Sequence, residues 1–549
     1  MTMSGESRAE NAGFQALTLR IWAVTLAVLV LEFAAIMLRN HGHFTFSFDD
    51  PYIHLAMAEE ILNGHYGINP HESAAAASSI LYPFLLAPLL ALGFGQFAAL
   101  LLNVLAALGV GVMVARLLSE LRLGVERLPG LSIAILAGLF GTGLISLAFS
   151  GLEHTLQVAD AMACLWGLVS FLRRGRVSPW FIVALILAPL IRYEGMSLLA
   201  AGVLVLLLKR EWRSAAIAGV VGFGLVAAFS AFLVHLGLPI LPSSVLVKSS
   251  GAADGMQGGV VGLIRGFALT LGTNIQDTRG LLFLIGIVVA AAPFLKAAKD
   301  SSDPREWPPA AFIGLFAALV MFAHIALGAY GWFARYEIYV LYVGLFGVIA
   351  IHAERLAPIL ARATARDVVT ASLAFAFVMV RMVAMVPATV TAANNIYEQQ
   401  YQMHRFVTEV WKAPVAVNDL GYVSFKNDAY VLDLFGLGSD TARKMRRAYP
   451  NSGAWMEPLA EAHGVPLAMI FPEWLRHIPC GWVRLGDLEL SGQAISVPFD
   501  HVTLYATQAG DAPDIAEKIK SFVPMLPQGV RFHFADLEHI PLRNAYCAD

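Results

Sequence analysis

Two adjacent carboxylates, Asp49 and Asp50, stand in the run Phe48-Asp49-Asp50-Pro51-Tyr52-Ile53-His54, with Glu59, Glu60, His71 and Glu72 close behind. A carboxylate at a helix entrance is an ordinary device, because the helix N-terminus favours negative charge. That accounts for one Asp. It does not account for two, since like charges that close raise one pKa or demand a cation. Such a pair can do general-base work, one carboxylate taking a proton from a hydroxyl while its neighbour orients substrate or holds a cation. Metal ligation is the rival reading, with His41, His43 and His54 as extra ligands, but their spacing matches no compact zinc pattern.

More ionisable groups punctuate the chain at the ends of apolar runs: Glu153-His154, Arg192 and Glu194, Lys248, and Arg335 with Glu337. Each alone reads equally well as a solvated loop end. Charge near membrane depth is costly, however, so several such groups on one face point to a polar site there. Asp419 and Asp433, further on, either face the cleft under the C-terminal region or cap turns at strand ends, and the second reading fits better.

These residues sit in a hydrophobic frame. The 549 residues are 58% hydrophobic and 14% charged, against about 25% charged in a soluble domain, which excludes a multidomain soluble enzyme. A net charge of -3 gives no global basic surface, so no nucleic-acid partner is expected. About eleven apolar runs approach the roughly 20 residues that a bilayer-spanning helix needs. They fall near 19–38, 97–115, 131–149, 153–172, 178–191, 195–208, 214–235, 280–297, 309–328, 336–351 and 367–386. Residues 80–93, broken by Pro83 and Pro88, read as a helix lying in or dipping into the interface. Tyr52 to Leu62 reads as an amphipathic helix along the membrane surface.

Lys and Arg divide the loops into two sets. One is rich, with Arg116, Arg122, Arg127, Arg173, Arg174, Arg176, Lys209 and Arg210 among its members. The other holds only Arg39, Arg192, Lys248, Arg265, Arg279 and Arg335. The positive-inside rule makes the rich set cytoplasmic and puts the acids on the outer face. An odd span count leaves 387–549 outside as well. There, 414–418, 430–434, 467–471 and 501–506 read as short strands of an α/β domain. The chain thus divides into a transmembrane domain, 1–386, with a catalytic first outer loop at 39–96, and an extracytoplasmic α/β domain, 387–549. Of the three cysteines, Cys164 reads as packing inside a span, and Cys480 and Cys547 lie where a disulfide is permitted.

The ordered set of motifs resembles GT-C fold glycosyltransferases, most of all the polyprenyl-phosphate-sugar enzymes that include the cell-wall arabinofuranosyltransferases. Asp49-Asp50-Pro51-Tyr52-Ile53, Gly64-His65-Tyr66-Gly67, Asn69-Pro70 and Ser78-Ser79 are similar to that family's first-loop signature. Ser150-Gly151-Leu152-Glu153, Arg192-Tyr193-Glu194-Gly195, Leu241-Pro242-Ser243-Ser244 through Lys248, and Ala334-Arg335-Tyr336 follow in the family's order. Val417-Asn418-Asp419-Leu420-Gly421 and Leu432-Asp433-Leu434-Phe435-Gly436-Leu437 resemble its outer-domain strands. Tyr193, His154, Ser243 and Ile80 depart from the pattern and bear on which sugar and acceptor are used.

The resemblance implies a membrane glycosyltransferase that moves a sugar from a polyprenyl-phosphate donor to a hydroxyl of a cell-envelope glycan or glycolipid, with inversion. Asp49 would be the base and Asp50 its electrostatic partner. Tyr52, His54, Glu153, His154, Arg192, Glu194, Lys248, Arg335 and Tyr336 would bind substrate, the cations meeting the leaving phosphate. No cofactor is required by this reading, and the part of a divalent metal stays open. The setting would be the bacterial inner membrane, with site and C-terminal domain extracytoplasmic. A secondary transporter or a lipid-linked glycan ligase or polymerase is the alternative.

Overall fold

The structure is a computed structural model that describes residues 5–535 except 126–142, 249, 332, 365, 368 and 371–384. Side chains are described throughout these apart from residues 5–11, 248, 250–258, 260 and 263. The third and eleventh expected spans fall largely outside the described residues.

Six helices among the described residues are long and apolar enough to cross a membrane: Ala12–Arg39, Phe97–Glu120, His154–Arg174, Trp212–His235, Thr278–Asp300 and Pro309–Leu327. Each matches an expected span. A seventh arises if Ile338–Ile351 and Ala353–Arg362, bent by 77°, count as one. Large apolar side chains such as Val220 and Val288 point outward, as a lipid-facing surface requires, while small residues bring helices together. The protein is a polytopic α-helical bundle followed by an α/β region.

The fifth and sixth expected spans form Pro179–Ile191 and Met196–Leu208, which are 13 residues each. At about 1.5 Å per residue each is roughly 20 Å long, well short of a 30 Å hydrocarbon core. They run antiparallel, since Gly202 packs on Leu185 while Gly195 lies against the Ala188 carbonyl. A Cβ at residue 195 would collide with that carbonyl oxygen, so glycine is required at this turn. The turn carries Arg192 and Glu194. A further helix, Ser250–Gln276, kinked at Gly259, occupies a stretch where no span was expected.

The first loop departs from its expected form. Its helix, Asp50–Leu62, does exist, but Pro51 through Ala58 are all buried, as is Glu60. Its faces are covered by protein: it packs between the short helix Tyr82–Ala91 and the turn Gly421–Ser424 of the C-terminal region. Sequence periodicity could not reveal that second covering surface. The small hairpin β1 (Gly67–Asn69) and β2 (Glu72–Ser73) extends this contact. Asn69 exchanges hydrogen bonds with the backbone of Val431, and Glu72 accepts from Tyr430 and Ser439 at 2.7 and 2.8 Å.

In the C-terminal region, β3 (Val415–Val417), β4 (Val431–Asp433), β5 (Leu467–Ile470), β6 (Val483–Glu489), β7 (His501–Ala506) and β8 (Arg531–Phe534) form one sheet in the order β4-β3-β5-β7-β6-β8. β3 pairs parallel with β4 and β5, and the remaining pairings are antiparallel. β3, β4, β5 and β7 coincide with the four strands read from the sequence. The parallel strands are fully buried, as strands covered on both faces must be. Cys164 is a free, buried thiol and Cys480 is disulfide-bonded, whereas Cys547 lies outside the described residues.

Candidate functional site

The two first-loop acids point in different directions. Asp49 occupies the N-cap position of Asp50–Leu62, yet its side chain makes no capping hydrogen bond. It reaches across to the C-terminal region instead, where Oδ2 accepts from the Gly421 amide at 2.5 Å and Oδ1 from the Tyr422 amide at 2.7 Å. Gly421 is obligatory here, because a Cβ would run into the Asp49 backbone carbonyl and carboxylate. Burial raises the Asp49 pKa to about 6 against the pull of the two amides and of a hydrogen bond with Asp419. Asp419 is itself buried beside that charge and is pushed far higher, with Gln400 donating to its carboxyl at 3.0 Å. Burial and mutual repulsion thus disfavour ionisation of both acids, and of Asp419 the more strongly. The pairing with Asp49 corrects the preferred expectation that Asp419 caps a turn. Asp433 does cap one, accepting from the amides of Phe435, Gly436, Leu437 and Gly438.

Asp50 turns toward the bundle. Its carboxylate, about a quarter exposed, meets Arg335 Nη2 at 2.8 Å. Arg335 is buried at 4% exposure, and its guanidinium lies over the rings of Phe48 and Tyr336 at 4.7 and 4.9 Å. Nη2 also donates to the Tyr336 hydroxyl at 2.8 Å. Its Nε and Nη1 are cut off from solvent and have no hydrogen-bond partner among the described residues. The two residues before it, Phe333 and Ala334, hold φ of 62° and 57° without being glycine, a strained turn of the kind found at ligand-clamping sites.

A second ion cluster stands beside the first. Glu153 is fully buried and accepts from Arg192 Nη1 at 2.5 Å and from Ser78 Oγ at 2.7 Å, with His54 Nε2 at 3.4 Å. Burial alone would raise its pKa, but His54, Arg192 and Ser78 outweigh that and hold it below the usual carboxylate range. Arg192 makes a two-bond fork to Glu194 at 2.7 and 3.2 Å, and burial of Glu194 is likewise overcome by that guanidinium. Tyr336 links the two clusters, with Arg192 at 5.7 Å and Arg335 at 4.9 Å from its ring and the His154 ring against it at 5.7 Å.

Asp49, Asp50, His54, Glu153, His154, Arg192, Glu194, Arg335 and Tyr336 are thus brought into one neighbourhood. Tyr52 is not presented to a ligand. It is fully buried, its ring 3.8 Å from that of Tyr422 and its hydroxyl bonded to Gln96. Lys248 ends the short helix Ser243–Lys248, and its side chain lies outside those described. Sequence reasoning did not pair Asp419 with Asp49, Ser78 with Glu153, or Arg279 with Glu337, the last two meeting at 2.7 Å. Asp419 precedes Leu420-Gly421 and so carries only a turn signal. His43 stacks on Tyr397 and His41 is tilted against the same ring, whereas His54 meets Ser78 and Glu153. No group of three or more His, Cys, Asp or Glu among the described residues is arranged to hold a metal ion.

Residues 394–508 match a family described only as a domain of unknown function, DUF8728. No curated protein matches the sequence. The structure is similar to that of ArnT from Cupriavidus metallidurans bound to undecaprenyl phosphate, at 12% identity and a TM-score of 0.40, covering 89% of this chain and 97% of the other. It is also similar to the archaeal oligosaccharyltransferase AglB from Archaeoglobus fulgidus in complex with an inhibitory peptide and a dolichol-phosphate, at 13% identity and a TM-score of 0.42, covering 87% and 75%.

Proposed function

We propose that the chain is a membrane glycosyltransferase that moves a sugar from a polyprenyl-phosphate donor to the hydroxyl of a glycan or glycolipid at the outer membrane face. One observation carries the reading: a buried arginine, Arg335, is ion-paired with Asp50 yet leaves Nε and Nη1 without a hydrogen-bond partner among the described residues. Two uncompensated guanidinium N–H groups in a buried place are costly unless acceptors complete them, and the oxygens of a ligand anion such as a phosphate can accept charge-assisted hydrogen bonds from them.

In the proposed reaction the acceptor oxygen attacks the anomeric carbon as the bond from that carbon to the phosphate oxygen breaks. Asp49, its pKa pushed up to about 6 by burial, takes the hydroxyl proton. Asp50 cannot serve both ends of an in-line displacement. Ion-paired with Arg335, it belongs to the leaving-group side and positions that guanidinium where negative charge develops. Direct displacement gives inversion. Arg192 is already saturated by Glu153 and Glu194, so it contributes field and holds Tyr336 rather than binding phosphate directly. The turn around Gly421 sets the acceptor side.

The arginine-rich ends of His154–Arg174 and of the hairpin 179–208 lie at the far ends of helices that start or turn at the site, which supports an extracytoplasmic site. The disulfide at Cys480 supports the same compartment for the C-terminal region. The test is release of free polyprenyl phosphate from a polyprenyl-phosphate pentose or hexose by purified protein. Arg335→Ala should lower turnover by about 10²–10³-fold and Arg335→Lys should restore only part of it. Equal turnover in all three would overturn the assignment of Arg335.

A further inference from the structure

We propose that the membrane face opposite the candidate site carries a second binding site, for the phosphate headgroup of an anionic membrane lipid. The helix His154–Arg174 starts next to Glu153 and ends in Arg173-Arg174. Its 21 residues, at about 1.5 Å each, separate those ends by roughly 30 Å, the thickness of a hydrocarbon core. At the far end a cavity of about 900 Å³ opens between this helix, the end of Phe97–Glu120, the early part of Gly5–Arg39 and the start of Pro179–Ile191.

Among the described residues, Arg116, Arg122, Arg173, Arg174 and Arg176 line this cavity against a single acid, Glu120. Arg174 is already committed to Glu120 through two hydrogen bonds, so among the described residues the other four guanidinium charges have no further lining carboxylate to offset them. The orientation rule explains arginines near a membrane face, but not their gathering round one cavity. Nor does it explain two polar atoms in the same wall. Trp166 Nε1 and Ser178 Oγ are shielded from solvent and have no hydrogen-bond partner among the described residues. Both can donate to an anion's oxygens.

The rim of the cavity favours a lipid over a soluble phosphate. Leu19, just over one turn beyond the lining residue Phe14, is 62% exposed, and Val183, one turn beyond Pro179, is 51% exposed. Trp166 and Trp180 stack at 4.1 Å, where a headgroup layer meets acyl chains and tryptophan is at home. A phospholipid uses every part of this arrangement, with its phosphate among the arginines and its chains along the apolar rim. Basic pockets between helices on the cytoplasmic side are suited to such headgroups.

The test uses full-length protein in detergent, titrated with phosphatidylglycerol, phosphatidylcholine or inorganic phosphate and read by native mass spectrometry. Phosphatidylglycerol should be retained about 10-fold more tightly than phosphatidylcholine. Arg173→Ala with Arg176→Ala should weaken it by about 30-fold, while Arg173→Lys with Arg176→Lys keeps most of the binding. Equal retention of the two lipids would overturn the proposal. So would undiminished phosphatidylglycerol binding in the double alanine variant, or displacement of the lipid by an equal concentration of inorganic phosphate.

Discussion

Asp50 Oδ2 stands 2.8 Å from Arg335 Nη2, joining the head of the first-loop helix to the strained turn that precedes Ile338–Ile351. The first expected consequence concerns that pair. Asp50→Asn keeps the shape but removes the charge that orients the guanidinium, so turnover should fall by about 10²-fold or more while lipid-donor binding persists. Steady-state kinetics with a donor-binding assay checks this. A variant that loses binding but keeps turnover at saturation would place Asp50 in donor affinity instead.

Asp49 should behave differently. Asp49→Asn removes the proton acceptor, and turnover should drop by about 10²–10⁴-fold. It also leaves the Gly421 and Tyr422 amides facing a neutral amide, so the C-terminal region should loosen. Gly421→Ala separates the two effects, because it disturbs the same contact sterically and leaves the carboxylate in place. Hydrogen exchange at residues 420–425 should rise in both variants. Turnover should fall further in Asp49→Asn.

The pH profile follows from the raised pKa of Asp49. Asp49 must be ionised to act, so kcat/KM should climb with pH through about 6. Asp419→Asn keeps a hydrogen-bond donor toward Asp49 and should leave that limb in place, whereas Asp419→Ala removes the donor and should move it upward. The sign for stability is the opposite. The Asp49 pKa is raised from 3.8 to about 6 on folding, so its contribution is fully present below about 4 and is lost as pH rises through about 6. Chemical denaturation at pH 4 to 7, compared between wild type and Asp49→Asn, reads that difference.

Glu153 should prove mainly structural. It is fully buried and compensates Arg192, so Glu153→Gln leaves a buried guanidinium short of one partner. Breaking such a pair costs about 3–5 kcal/mol, seen as a lowered thermal midpoint in detergent. Joint replacement of Glu153 and Arg192 should cost less than the sum of the two single changes.

Much of this was legible in the sequence. Long apolar runs bounded by charge place helix ends well, and His154–Arg174 and Pro309–Leu327 lie within a few residues of the expected spans. Four short apolar strands between turn signals were equally readable. The convergence of Asp50, Arg192 and Arg335 was expected from their placement at outer helix ends. Burial of Asp50–Leu62 was not, because the surface that covers it comes from Gly421–Ser424, far along the chain. The choice between a cleft-facing and a turn-capping Asp419 stayed open for the same reason: its partner is Asp49, and nothing local distinguishes a carboxylic acid in a buried pair from one that closes a turn.

The central claim is that an activated sugar leaves a lipid phosphate held by Arg335. Purified protein supplied with a polyprenyl-phosphate sugar labelled in the sugar, together with a hydroxyl-bearing glycan, measures it directly. The account predicts free polyprenyl phosphate in equal amount to label gained by the glycan, with inverted anomeric configuration, and neither product from Asp49→Asn. Intact donor after prolonged incubation, accompanied by movement of solute across sealed vesicles containing the protein, would contradict it.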